Sequence, residues 1–119
     1  MGNHSNAFDD VFRALADPTR RAVLERLAKG PATISDLAAP FDMALPSFMK
    51  HIRLLEESGF IHSRKEGRVR TCTLERARFG TIECWLAEQQ AIWEAHADRL
   101  EQLVLAKEEF LRAKMEKSK

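Results

Sequence analysis

The sequence lacks the features of membrane proteins, secreted proteins and disulfide-rich domains. It contains two cysteines in 119 residues, Cys72 and Cys84, which are too few for a disulfide framework. It has no run of about 18 apolar residues, so we expect no membrane span and no membrane partner. The N-terminus has no basic region followed by an apolar stretch, which argues against a secretory signal. These absences predict a cytoplasmic protein.

The residue patterns of catalysis are missing as well. The sequence has no glycine-rich phosphate loop, no HExxH motif and no nucleophile beside an evident base. Ser47, Lys50 and His51 together resemble a hydrolase set, but they fall on a helix predicted to be exposed, in a chain too small for a deep pocket. We therefore expect no enzyme, no catalytic residues and no cofactor.

The charge of the chain is nearly balanced, but it is unevenly distributed. The formal net charge is +1, and residues 50–76 carry 7 Lys/Arg against 4 Asp/Glu, a balance of +3. The segments before and after each have a balance of −1. A local basic excess is typical of a nucleic-acid site. A solvated surface of mixed sign explains the charge alone equally well.

Proline and glycine divide the first 60 residues into four predicted helices. The first covers residues 6–16, and the second follows the cap Asp17 and ends near residue 29. A short helix capped by Thr33 ends at Ala39, before a proline. The fourth runs over about residues 44–58 and is closed by a glycine. Its predicted core face is Leu45, Phe48, Ile52 and Leu55.

The pattern then changes to the alternation of β-strands. Ile61–Lys65 and Val69–Leu74 flank Glu66-Gly67-Arg68, which predicts a β-hairpin with a short loop. Two strands alone are marginally stable, so the hairpin must pack on the helices. We expect a single domain over residues 1–119, mainly α with a small β-hairpin. Within this domain we expect a helix-turn-helix over about residues 33–58 and a wing over about residues 61–74.

A long C-terminal dimerisation helix completes the prediction. Residues 77–114 contain no proline. The helix either projects from the domain as one piece or is broken near Gly80. Apolar residues recur there at nearly heptad spacing, and one small domain cannot cover them all. The sequence therefore predicts a homodimer. The predicted interface residues are Phe8, Phe12, Trp85, Ile92, Trp93, Leu100 and Leu103.

Three segments resemble the ArsR family of bacterial repressors. Asp17-Pro18-Thr19-Arg20-Arg21, followed by Val23-Leu24, is similar to the opening of that family. Residues 45–61, LPSFMKHIRLLEESGFI, are similar to its recognition helix, and Lys65-Glu66-Gly67-Arg68 to its wing tip. The resemblance covers roughly residues 8–104. It implies a homodimer, paired through the first and last helices, that represses by occupying an operator.

The order of elements suits duplex DNA, because the major groove admits one helix while an adjacent hairpin reaches the backbone. We predict a sequence-specific transcriptional repressor that binds an imperfect palindrome as a dimer. The alternative is a winged-helix adaptor that docks a partner protein and ignores DNA; four basic wing residues against one acid favour DNA. The predicted DNA-binding residues are Pro46, Ser47, Met49, Lys50, His51 and Arg53 of the helix, and Arg64, Lys65, Arg68 and Arg70 of the wing.

Two departures from the family pattern matter. The family often has serine at the positions of Ala44 and Met49, so Asp42 or the preceding backbone must cap the helix, and base preference should differ.

Many relatives sense metals through cysteines in the helix before the recognition helix, or through paired histidines and carboxylates in the last helix. In this sequence residues 34–39 of the former helix read ISDLAA, without cysteine. His96 has no second histidine near it. We expect no metal site, and the sequence does not reveal whether the protein responds to a small-molecule effector.

Overall fold

A computed structural model describes residues 4–117. The chain divides after Glu83 into two compact units, and the last helix continues across that boundary. The elements are α1 (His4–Leu15), α2 (Pro18–Leu27), β1 (Ala32–Thr33), α3 (Ile34–Ala38), α4 (Leu45–Glu57), β2 (Ile61–Glu66), β3 (Val69–Leu74) and α5 (Ala77–Lys117). The prediction of a mainly helical fold with a small hairpin and a long last helix is confirmed. That residues 1–119 form one domain stays a prediction.

The helices begin and end where capping chemistry predicts. Asp17 caps α2, and its carboxylate accepts a hydrogen bond from the amide of Arg20 at 3.1 Å. Thr33 caps α3, and its hydroxyl accepts from the amide of Asp36 at 3.1 Å. Gly59 follows α4 with φ +82°, a left-handed conformation that glycine adopts without strain. These contacts confirm the predicted boundaries to within two residues.

The core of the first unit is built around α4. Phe48, Ile52 and Leu55 are completely buried, as predicted from their spacing. Leu45 was predicted to join them, and this is wrong, because its side chain is 56% exposed. Leu45 is the first residue of α4, one turn before the part of the helix that packs on the core. Phe60 folds back behind α4 and is completely buried.

The predicted hairpin is confirmed, but it belongs to a sheet of three strands. β2 and β3 pair antiparallel with Glu66 opposite Val69, so the turn consists of Gly67 and Arg68 alone. The two-stranded prediction missed β1, which pairs antiparallel with the other edge of β3. Two residues are too few to show an alternating pattern, and Thr33 gave a stronger signal as a helix cap.

The last helix is continuous through Gly80. None of its residues is buried, and residues 84–117 of the second unit belong entirely to it. Within residues 4–117, no helix combines the length and the apolar character needed to cross a membrane.

Candidate nucleic-acid interface

The face of α4 opposite the core carries predicted DNA contacts. Three buried residues set one side of the helix, and Pro46, Lys50 and Arg53 lie on the other, spaced four and three residues apart, and are exposed. Ser47 is also exposed. This face takes no part in the packing of the core, so its side chains are available for a partner.

One flank of α4 borders a cleft that it shares with the wing. The cleft has a volume of about 380 Å³, and Leu45 and Met49 line it from α4 while Arg68 and Arg70 line it from the wing. Thr33, Ile34 and Ser35 close a third side. Helix-turn-helix and wing therefore meet around one cleft, whose lining includes two cations and no acidic residue.

The wing presents its cations on both faces of the hairpin. Lys65 and Arg70 are direct cross-strand partners, and Arg64 pairs with Thr71 on the other face. Arg68 lies in the two-residue turn. All four cations are exposed. Like charges directly opposite each other are destabilising, so the Lys65–Arg70 pair costs stability in the free protein.

The other flank of α4 is joined to the corner between α1 and α2 through His51. Nδ1 of His51 lies 3.0 Å from Nη1 of Arg20 and 3.7 Å from Oδ2 of Asp17. Burial raises the pKa of Asp17, but the amide of Arg20 and the charges of His51 and Arg20 lower it more, so its pKa lies below the ordinary value. The carboxylate is therefore held in its charged form.

A second polar contact joins the C-terminal end of α4 to the wing. The hydroxyl of Ser63 in β2 donates to Oε1 of Glu56 at 2.6 Å. Cys72, the cross-strand partner of Ser63, is completely buried beneath the sheet. Burial and the charge of Glu56 raise the pKa of the Cys72 thiol to about 11. Cys72 is therefore a structural residue with little thiolate at neutral pH.

The structure excludes one of the two alternatives for capping the start of α4. The N-cap is Ala44, whose backbone is extended, and no side chain accepts a hydrogen bond from the first turn. The suggestion that Asp42 caps the helix is therefore wrong. Pro46 lessens the cost, because proline has no amide proton to satisfy.

The residues predicted to form a dimer interface differ in exposure. Phe8 and Trp85 are half-buried, and Phe12 is 38% exposed. On α5, Ile92, Trp93, Leu100 and Leu103 are at least half exposed. Large apolar side chains in water are unfavourable, so this part of α5 has the character of an interface.

Side-chain clusters suited to a metal are not found in the described part of the chain. No group of three or more His, Cys, Asp or Glu side chains within residues 8–117, the range over which side chains are described, is arranged to hold an ion.

Sequence reasoning missed the polar contacts that hold α4. Arg20 and His51 are 31 residues apart, and Asp17 was recognised only as a helix cap. Glu56 and Ser63 lie on opposite sides of the glycine that ends α4. Pairs at such separations have no periodic signal, and only the folded backbone brings them together.

Comparison with known proteins gives one consistent family. Residues 15–64 match the model of a helix-turn-helix domain. The transcriptional repressor SdpR of Bacillus subtilis is 35% identical over 60 residues, which are 50% of this chain and 67% of that protein. The regulator Rv2034 of Mycobacterium tuberculosis is 36% identical over 67 residues, 56% of this chain and 63% of that protein. The chain thus spans about two thirds of these relatives.

A solved structure extends the similarity over more of the chain. The crystal structure of the ArsR family transcriptional regulator RHA00566 is 62% identical, with a TM-score of 0.75, and the match covers 79% of this chain and 97% of that one. The predicted winged helix-turn-helix class is thereby confirmed.

Proposed function

The chain belongs to the ArsR family of transcriptional regulators, and we propose that it is a repressor that binds duplex DNA as a homodimer. α4 enters the major groove, and the wing follows the adjacent backbone. Two copies place their α4 helices in successive major grooves, about 34–36 Å apart. The preferred site is then an imperfect palindrome, and the function is regulatory rather than enzymatic.

One observation carries this proposal, namely the cleft between the start of α4 and the wing. Its lining combines residues of the helix with Arg68 and Arg70 and has no acidic member. A phosphate near Lys65 and Arg70 would also relieve the repulsion between these cross-strand partners, which the free protein bears at a cost. An anionic partner at this cleft therefore gains affinity that a neutral one lacks.

The residues divide by role. Arg64, Lys65, Arg68 and Arg70 contact phosphates, which fix position and carry little sequence information. Side chains of α4 contact base edges, where a good pair discriminates by about 1–3 kcal/mol, and Lys50 suits either a base edge or a phosphate. The α4 contacts are Pro46, Ser47, Met49, Lys50, His51 and Arg53.

The second copy is the partner of the exposed apolar residues. Ile92, Trp93, Leu100 and Leu103 supply the contacts from α5, and Trp85, Phe8 and Phe12 extend them. Both the DNA site and the palindrome depend on this pairing, since one copy reaches only one half-site.

The test compares Arg68→Ala with Lys29→Ala, a matched loss of one exposed cation outside α4 and the wing. Each is titrated over a range of salt concentrations against the DNA upstream of the gene and against a scrambled duplex. Arg68→Ala should weaken binding to both duplexes alike and flatten the salt slope by about two units, one contact being lost in each half of the dimer. Lys29→Ala should match the wild type. An unchanged slope in Arg68→Ala would show that the wing does not touch DNA.

An adaptor function remains the second candidate. Leu45 and Val69 are 56% and 50% exposed and lie beside the same cleft, where an apolar partner helix would bury them. If wild-type protein binds neither duplex at low salt, the adaptor function is favoured.

A further inference from the structure

Arg20 reaches from α2 to the recognition helix and is held firmly on the way. Its Nε donates to the carbonyl of Ala14 at 2.9 Å, and its Nη2 donates to the carbonyl of Arg13 at 2.9 Å. Both acceptors belong to the last turn of α1. The third guanidinium nitrogen, Nη1, lies 3.0 Å from Nδ1 of His51. The end of α1 thus fixes the guanidinium independently of the histidine.

This contact determines where the imidazole proton lies. A guanidinium has donors and no acceptor. At 3.0 Å from Nη1, Nδ1 of His51 must accept when the ring is neutral, so the single proton of the neutral ring is on Nε2. Oδ2 of Asp17 is 3.7 Å from Nδ1, beyond hydrogen-bond distance, so it does not compete for a proton there.

Nε2 of His51 is open to solvent. None of the hydrogen bonds formed within residues 8–117, whose side chains the structure describes, uses this atom, and every buried side-chain nitrogen or oxygen in that range has a partner. Since Nε2 has no such partner, it is not buried. The side chain as a whole is 22% exposed, on a flank of the helix assigned to the major groove.

We propose that Arg20 is a positioning residue of the DNA site, which holds His51 in the Nε2–H tautomer so that Nε2 donates a hydrogen bond to an acceptor on DNA. The inference rests on the proposed function. The acceptor is a phosphate oxygen or an atom on a base edge, such as N7 or O6 of guanine. The other tautomer would present a lone pair to these atoms and be repelled. Arg20 therefore acts through His51 without touching DNA.

The tautomer is measured directly by ¹⁵N NMR of the histidine rings at alkaline pH, where imidazole is neutral. In the wild type, Nδ1 of His51 should be fully unprotonated and Nε2 fully protonated, whereas the exposed His96 should show a mixture. Arg20→Met should return His51 to a mixture. Arg21→Met is the matched control, because Arg21 also donates to a carbonyl at the end of α1, that of Leu15 at 2.8 Å, without contacting His51. It should leave the His51 spectrum unchanged.

Either of two spectra would overturn the proposal: a mixed His51 tautomer in the wild type, or a fixed tautomer that survives Arg20→Met. If Arg20→Met does not fold, the wild-type spectrum decides alone.

A double-mutant cycle tests whether Arg20 affects DNA binding through His51. Arg20→Met and His51→Ala should each weaken binding to the upstream duplex about tenfold, and the double variant should lose no more than either one. A loss confined to the upstream duplex identifies a base-edge acceptor, and an equal loss on scrambled duplex identifies a phosphate. Additive losses would mean that Arg20 acts on its own and would refute the proposal.

The binding and NMR measurements together distinguish a failure of this proposal from a failure of the proposed function. Wild-type protein that binds no duplex would refute the proposed function, and with it the role of His51 on DNA. Wild-type protein that binds duplex while His51 shows mixed tautomers would refute only the role of Arg20.

Discussion

Replacing Trp93 by alanine should break the dimer without unfolding the protein. Trp93 is 70% exposed on α5, so about 170 Å² of a side chain that presents roughly 250 Å² is free for burial. At about 25 cal/mol per Å², complete burial in two copies would contribute about 8.5 kcal/mol as an upper limit. Taking half of that surface as buried, Trp93→Ala should cost about 4 kcal/mol, or about a thousandfold in the dimer Kd.

The assay is sedimentation equilibrium over a concentration series, with helix content checked by circular dichroism. Alanine has the higher helix propensity, so α5 itself should not weaken. Gln102→Ala is the matched control, because Gln102 is exposed and lies nine residues further along, on the opposite side of the helix, about 180° away. It should dimerise like the wild type. If Trp93→Ala and Gln102→Ala have the same Kd as the wild type, this part of α5 does not form the dimer.

Three further predictions test the fold on which the site depends. Phe48→Ala should lower the free energy of unfolding by about 3–5 kcal/mol, because it opens a cavity in the core, whereas Leu45→Ala, at a position 56% exposed, should cost far less; equal losses in urea denaturation would contradict the packing. Iodoacetamide at pH 8 should modify the exposed Cys84 rapidly and Cys72 only on unfolding, since burial raises the Cys72 pKa to about 11; equal rates by mass spectrometry would be evidence against this. Asp17 has a lowered pKa, so the stability that its carboxylate contributes should be present above pH 3.8 and be lost as the pH falls further. Asp17→Asn should remove that part of the acid dependence of the free energy of unfolding. The same pH dependence in the variant and the wild type would contradict this role of Asp17.

The order of the five helices and the hairpin could be predicted from the sequence because each of these elements depends on local chemistry. Asp17 and Thr33 are helix caps, each accepting from an amide three residues further along, and Gly59 ends α4 at a position that requires a positive φ. The spacing of Phe48, Ile52 and Leu55 identifies the buried face. In each case the residues that predict the feature follow one another at intervals of four residues or fewer.

What failed or was missed depends on the folded environment. Leu45 has the right spacing for the core, but nothing covers the first turn of α4, so it stays exposed. β1 is a strand only because β3 lies beside it. The contact of Arg20 with His51 requires two helices to meet, and no local pattern predicts that meeting. The assignment of residues to DNA and to the dimer interface stays a prediction.

The distribution of buried and exposed residues on α4 explains how the recognition surface can change while the fold does not. Stability comes from the buried face and from polar ties on the flanks, through His51 to the α1–α2 corner and from Glu56 to Ser63 of the wing. Lys50 and Arg53 contribute to neither, since they are exposed and lie opposite the core. Substitutions there should change affinity and base preference while altering the free energy of unfolding by less than about 0.5 kcal/mol. His51 is the exception, because the ring that would donate to DNA also joins α4 to α2, so a change at this position should alter binding and the attachment of the helix together.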